Sequence, residues 1–176
     1  FPRLSASIKD PATATMMINQ QTEVGLLLCA PLFLGLLGFL PWIVHLAYSK
    51  EFMPAMDILR YQILGDILKI LSWPLGVAIM ARGSGGLFFL TEALGVGLLI
   101  ALIAIGIPFF GIEATGIAFL VMNAVYLPVV WYFGGRPLGF RWTTGVKLHA
   151  TALFTAAVFV DLAGRYSALL GAAFGT

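Results

Sequence analysis

Charge is what this sequence has least of. Asp, Glu, Lys and Arg make up 10% of its 176 residues, against about 25% in an ordinary soluble domain. That deficit argues against a soluble globular class. The net charge of +2, with no basic run interleaved with aromatics, excludes a nucleic-acid partner. Cys29 is the sole cysteine, so no internal disulfide can form, and it has no Cys or His neighbour at metal-ligand spacing. Catalytic signatures are missing too. There is no nucleophile elbow, phosphate-cradling glycine loop, His–Glu–His zinc arrangement or matched carboxylate pair. GSGG at 83–86 is too short and badly placed for a nucleotide. An enzyme and a bound cofactor are therefore not expected. Nor is there a signal peptide; a chain that opens on Phe1 and stops inside LLGAAFGT reads as a piece of a longer protein.

What the sequence does have is apolar length. Hydrophobic residues reach 60% and the mean hydropathy is +0.98. A membrane-crossing helix needs about 20 mostly apolar residues. Four segments qualify: Val24–Ala47, Ile58–Met80, Leu87–Ile107 and Ala114–Phe133. Val146–Leu162 is a shorter fifth, and the tail from Ser167 could start a sixth. The apolar runs lack the period-2 alternation of barrel strands. The connections are short and rich in turn residues, such as ARGSGG (81–86) and PFFGIE (108–113). The predicted fold is all-α, an up-and-down membrane bundle of five or six transmembrane helices.

Lys and Arg set the expected orientation. Arg3, Lys9, Arg82, Arg136, Arg141 and Lys147 fall on one side, which should be cytoplasmic. Lys50, Arg60 and Glu113 fall on the other. Trp42, Tyr48, Trp131, Tyr132 and Trp142 lie near the predicted ends, as interfacial aromatics do. Pro31, Pro74 and Pro128 should bend their helices.

One stretch, YQILGDILKILSWP (61–74), places charges inside an apolar span. At 100° per residue, Gln62, Asp66, Lys69 and Trp73 share an arc of about 60°. Lys69 would lie about 16 Å along the span, near the middle of a ~30 Å core. A charge there costs roughly 2.5–3.5 kcal/mol on insertion scales, so it should face protein or a wet cavity. Either Asp66 and Lys69 neutralise each other as an i,i+3 pair, or the stripe forms a cavity wall in which Lys69 offers positive charge. Asp57 and Arg60 point elsewhere and should be solvated near the outer interface, as should His45 and His149. Asn123 should bond across helices or line the cavity. Glu92 should snorkel or pack. Ala93, Gly97 and Ala101 form a small-residue ribbon that suggests a close helix contact.

The residues also carry a family resemblance. FPRLS and NQQTE, the pattern F-x-P…Q-x-x-G-D-x-x-K…W within YSKEFMPAMDILRYQILGDILKILSWPLG, FGIEATGIAFLV and GFRW resemble polysaccharide-biosynthesis flippases. These are O-antigen and related translocases of the multidrug/oligosaccharidyl-lipid/polysaccharide exporter superfamily. The likeness covers residues 1–142. It implies two six-helix lobes in a V around a central cavity, with this chain forming most of the second lobe. Residues 1–22 would be a cytoplasmic link, 23–134 the last four helices of that lobe, 135–145 a cytoplasmic loop, and 146–176 an additional, truncated hydrophobic region. It implies movement of undecaprenyl-pyrophosphate-linked oligosaccharide across the bacterial inner membrane, with membrane lipids and the N-terminal lobe as partners. Lys69 would then hold the pyrophosphate and Asp66 would moderate its field or take up a proton. Gln62 would bind sugar or headgroup, and Arg60 would be a second cation at the outer mouth. A drug or metabolite exporter of the same superfamily and a non-transporting scaffold subunit are the competing readings.

Overall fold

A computed structural model describes residues 10–47 and 54–174. Expectations attached to Phe1, Arg3, Lys9, Tyr48 and Lys50 lie outside them. Five α-helices occupy the described residues, and no strand is present among them. They are α1 (Pro11–Ala47), α2 (Pro54–Ala81), α3 (Gly85–Phe110), α4 (Ala114–Val130) and α5 (Thr144–Phe174). Four helical runs are long and apolar enough to cross a membrane: Pro11–Leu40, Ala55–Ala81, Gly85–Leu138 and Thr144–Gly164. The third run folds back on itself. Gly111, at φ 58°, reverses the chain between α3 and α4 in the left-handed region that favours glycine.

Neighbouring residues give the helix directions. Gly25 meets Ile70, Gly76 meets Phe88 and Gly106 meets Ala114, so each consecutive pair from α1 to α4 is antiparallel. Arg60 meets Asp161, so α5 runs antiparallel to α2. Gly116 lies against Ile58 and Gly134 against Leu75, so α2 and α4 run parallel. This is the expected up-and-down bundle, with α2 touching all four other helices.

Glycine sets how closely α2 and α4 approach. A Cβ on Gly116 would lie 2.7 Å from the carbonyl oxygen of Ile58, and one on Gly134 would lie 2.6 Å from that of Leu75. Only a residue without a side chain lets two backbones come so near. The expected small-residue ribbon is elsewhere. Ala93, Gly97 and Ala101 are exposed, and nothing lies within 4 Å of a Cβ built on Gly97. The glycines of α3 that meet α4 are Gly95, against Tyr126, and Gly106, against Ala114.

The polar start of the chain is described from Asp10. From Pro11 it is already the first turns of α1. Asp10 caps the helix, accepting from the amides of Ala12 and Thr13 and from the Thr13 hydroxyl. Ala14, Ile18 and Thr22 recur every four residues and are fully buried. Ala14 and Ile18 pack with Leu75, Ala78, Ile79, Leu138 and Phe140. At 37 residues, α1 is about 55 Å long, well beyond a ~30 Å hydrocarbon core.

One further correction concerns the C-terminal half. Ser167 starts no sixth helix, because α5 continues through it to Phe174. Pro31 and Pro74 lie inside continuous helices. The irregularity lies after Pro128, where Trp131–Gly135 forms a π turn and the Arg136 amide bonds the Trp131 carbonyl.

Candidate functional site

The stripe on α2 lies in a groove. With Gln62 at zero on the helical wheel, Ile70 falls at about 80° and packs against Gly25 of α1. Gly65 and Ile58 fall at about −60° and −40° and pack against Phe119 and Gly116 of α4. Both α1 and α4 pack on α2 but make no extended contact with each other. The arc between them is the uncovered face of α2, and it carries Gln62, Asp66, Lys69 and Trp73.

Those four residues differ in exposure. Gln62 and Asp66 are half-buried, Lys69 is exposed, and Trp73 is 69% exposed. Gly65 explains part of this. Its missing side chain lets Phe119 come close, to 2.7 Å of where a Cβ would be. The ammonium of Lys69 then rests 5.6 Å from the centroid of the same ring. A cation over an aromatic face gains about 0.5–2 kcal/mol, depending on desolvation. Asp66 and Lys69 do not close an ion pair. Among the described residues, the salt bridges are Arg60–Asp57, Arg60–Asp161 and His149–Glu23. Lys69 is thus held by an aromatic ring and left open toward the groove, able to meet an anion.

Arg60 is placed differently from its expected role. Its side chain is only 11% exposed, with Nη1 2.9 Å from Asp57 and Nε 3.0 Å from Asp161 on α5. A guanidinium shared by two carboxylates is a tie between α2 and α5, not a free cation at an outer mouth or a solvated surface charge. Sequence spacing exposes the Asp57 half of this arrangement, an i,i+3 neighbour. The Asp161 half depends on long-range packing.

Asn123 is likewise reassigned. It is 2% exposed and donates to the Phe119 carbonyl one turn back on its own helix. It therefore bonds within α4 rather than across helices. Glu92 makes the interhelical bond instead, accepting the hydroxyl of Tyr126 between α3 and α4. His149 is not simply solvated, since Nδ1 lies 3.2 Å from the Glu23 carboxylate on α1.

Asn19 is the buried polar residue that sequence reading missed. It donates to the carbonyls of Thr15 and Arg141 at 2.9 and 3.1 Å. Its Oδ1 accepts the amide of Thr143 at 2.9 Å. One side chain thereby fastens the start of α1 to the segment leading into α5. The available signal was Asp-Pro before an i, i+4, i+8 series of small and apolar residues, a helix start that would have placed Asn19 on a buried face.

Charge divides between the two ends of the bundle. Arg82, Arg136, Arg141 and Lys147 are exposed at one end, where α2 and α4 finish and α3 and α5 begin. Asp57, Arg60, Glu113 and Asp161 lie toward the other. No group of three or more His, Cys, Asp or Glu among the described residues could hold a metal.

Comparison of the chain with protein-family models, curated proteins and solved structures finds no match.

Proposed function

We propose that this chain is part of the second lobe of a flippase that moves undecaprenyl-pyrophosphate-linked oligosaccharide across the bacterial inner membrane. The observation that carries the reading is Lys69, exposed on the open face of α2 near mid-span and, among the described residues, in no salt bridge. An uncovered cation in hydrocarbon is costly. The cost disappears when a facing lobe encloses the groove and lets water in. In such an enclosure Lys69 attracts the pyrophosphate more strongly than it would in bulk water. Asp66 limits that attraction so that the headgroup can leave. Trp73 and Gln62 offer a ring face and an amide to sugar.

The separation of charge between the ends supports an orientation with Arg82, Arg136, Arg141 and Lys147 in the cytoplasm. The α3–α4 hairpin, with α1, α2 and α5, gives five crossings in this reading. The exposed ammonium of Lys69 offers a partner to an anionic cargo that the organic cations of a drug exporter would not use.

The test is Lys69→Ala against Lys69→Arg in the full-length protein at matched expression, reading surface glycan. Alanine should abolish or strongly reduce glycan display, and arginine should retain part of it. Undiminished glycan with alanine refutes the role.

A further inference from the structure

At the basic end of the bundle, two connections border an open cleft that is separate from the groove. The turn from α2 to α3 supplies Arg82 and Ser84, and the segment after α4 supplies Arg136. Leu87, Tyr132 and Phe133 form apolar walls, and the open cleft has a volume of about 440 Å³. It lies about 20 Å along the α2 axis from Lys69, so it is not part of the groove.

Three features of this cavity favour a phosphate. Arg136 stacks over Tyr132, with its guanidinium carbon 5.0 Å from the ring centroid. That stacking fixes the plane of the fork that grips phosphate oxygens in pairs. Neither Arg82 nor Arg136 is salt-bridged to a carboxylate among the described residues. Ser84 makes no side-chain cap on α3, so its hydroxyl and the first-turn amides are available beside the two guanidiniums. Gly85 and Gly86 leave that backbone uncrowded, with nothing within 4 Å of either Cβ position. The apolar walls suit a phosphate that carries a hydrocarbon chain. Leu90, 59% exposed and three residues on from Leu87, extends the apolar surface along α3.

We propose that this cavity binds a phosphate group at the basic membrane boundary, as carried by the headgroup of an anionic phospholipid. The proposal does not depend on the transport reading. Basic pockets between transmembrane helices recognise such headgroups by paired charge at the interface.

The full-length protein in mixed nanodiscs, released for native mass spectrometry, tests it with phosphatidylglycerol and phosphatidylcholine as probes. Phosphatidylglycerol should be retained preferentially. The pair Arg82→Ala with Arg136→Ala should reduce that preference by roughly tenfold or more. The pair Arg82→Lys with Arg136→Lys keeps the charge and loses the fork, and should fall between. It also carries the test if the alanine pair fails to fold. The control pair Arg141→Ala with Lys147→Ala removes the same charge from the same end and should leave the preference intact. Excess inorganic phosphate separates the sources. Displacement of the lipid by phosphate makes free phosphate the occupant, and resistance makes it the lipid headgroup. A preference that survives both changes at Arg82 and Arg136, or falls equally in the control, overturns the site.

Discussion

Arg60 and Asp161 meet at 3.0 Å although they lie far apart in sequence, and the same guanidinium lies 2.9 Å from Asp57. This junction joins α2, the central helix, to α5. Removing one partner of a buried pair is far more damaging than the pair is stabilising. Arg60→Ala should therefore cost about 3 kcal/mol, read as a lowered denaturation midpoint in detergent. Arg60→Lys keeps charge but cannot span both carboxylates with a planar fork, so it should recover only part of the loss. An alanine variant as stable as the parent would mean that the junction contributes nothing.

Gly116 should be among the least replaceable residues in the bundle. A methyl group there would sit 2.7 Å from the oxygen and 2.9 Å from the Cα of Ile58, both backbone atoms. Flexible side chains can swing aside, whereas backbone can yield only if α2 and α4 separate. Gly116→Ala should destabilise by about 1–3 kcal/mol, the usual cost of overpacking. Gly97→Ala, with open space around it, should be neutral or stabilise by up to about 1 kcal/mol. Equal midpoints for the two variants would contradict the packing.

Much of this was open to sequence reasoning, and the failures have a common cause. Long apolar runs fix helix number and direction because the bilayer permits little else. Thus α2, α3 and α4 fall close to where hydropathy places them. A hydropathy window is blind to helices that bury a polar-looking face, so it starts α1 at Val24 although the helix begins at Pro11. Which small residues make a contact was equally hidden. Ala93, Gly97 and Ala101 have the right spacing, but α4 approaches a different face, at Gly95 and Gly106. Gln62, Asp66, Lys69 and Trp73 share one face as the wheel predicts. That Arg60 is already engaged, and that Asn123 bonds within its own helix, required the fold.

Asn19 should control how firmly the segment before α5 is held. Its amide and carbonyl together serve Arg141 and Thr143, in a side chain 4% exposed. Asn19→Ala should cost about 1–3 kcal/mol by leaving buried backbone groups unpaired. Hydrogen exchange should quicken at the Thr143 amide in particular. Asn19→Asp keeps the acceptor for Thr143 and loses the donor to Arg141, so Thr143 should stay protected. Unchanged exchange at Thr143 in the alanine variant would remove Asn19 from this role.

The first turn of α1 should respond to acid through Asp10. The Thr13 hydroxyl, followed by the amide of Ala12, holds its carboxyl below the ordinary aspartate range. A carboxylate whose pKa is depressed by folding adds stability above its unfolded pKa. That contribution is lost as pH falls through the folded value. Amide resonances of Ala12 and Thr13 should therefore shift on acidification below the usual carboxylate range. Asp10→Ala should show the uncapped shifts at every pH. Titration-independent shifts in the parent would sink the cap.

Water access along α2 is the prediction on which the transport reading depends. In a closed scaffold, Gln62, Asp66 and Lys69 would be dry or face acyl chains. In a translocation groove they would be wet in at least one state. Replacing Cys29, the one cysteine of this sequence, and any cysteine elsewhere in the intact protein with alanine gives a background for single cysteines at 62, 66 and 69, with Phe89 and Ile100 as controls. Both controls are exposed on α3 and apolar, at 74% and 62%, which in a membrane means contact with lipid or another apolar surface. A membrane-impermeant maleimide requires thiolate and therefore water, so groove positions should label and α3 positions should not. Because the positions span about two helical turns, labelling from one side of the membrane should also fall off along the series. Protection of all three groove cysteines in the intact protein, under conditions where glycan is displayed, would leave Lys69 without a route to any headgroup.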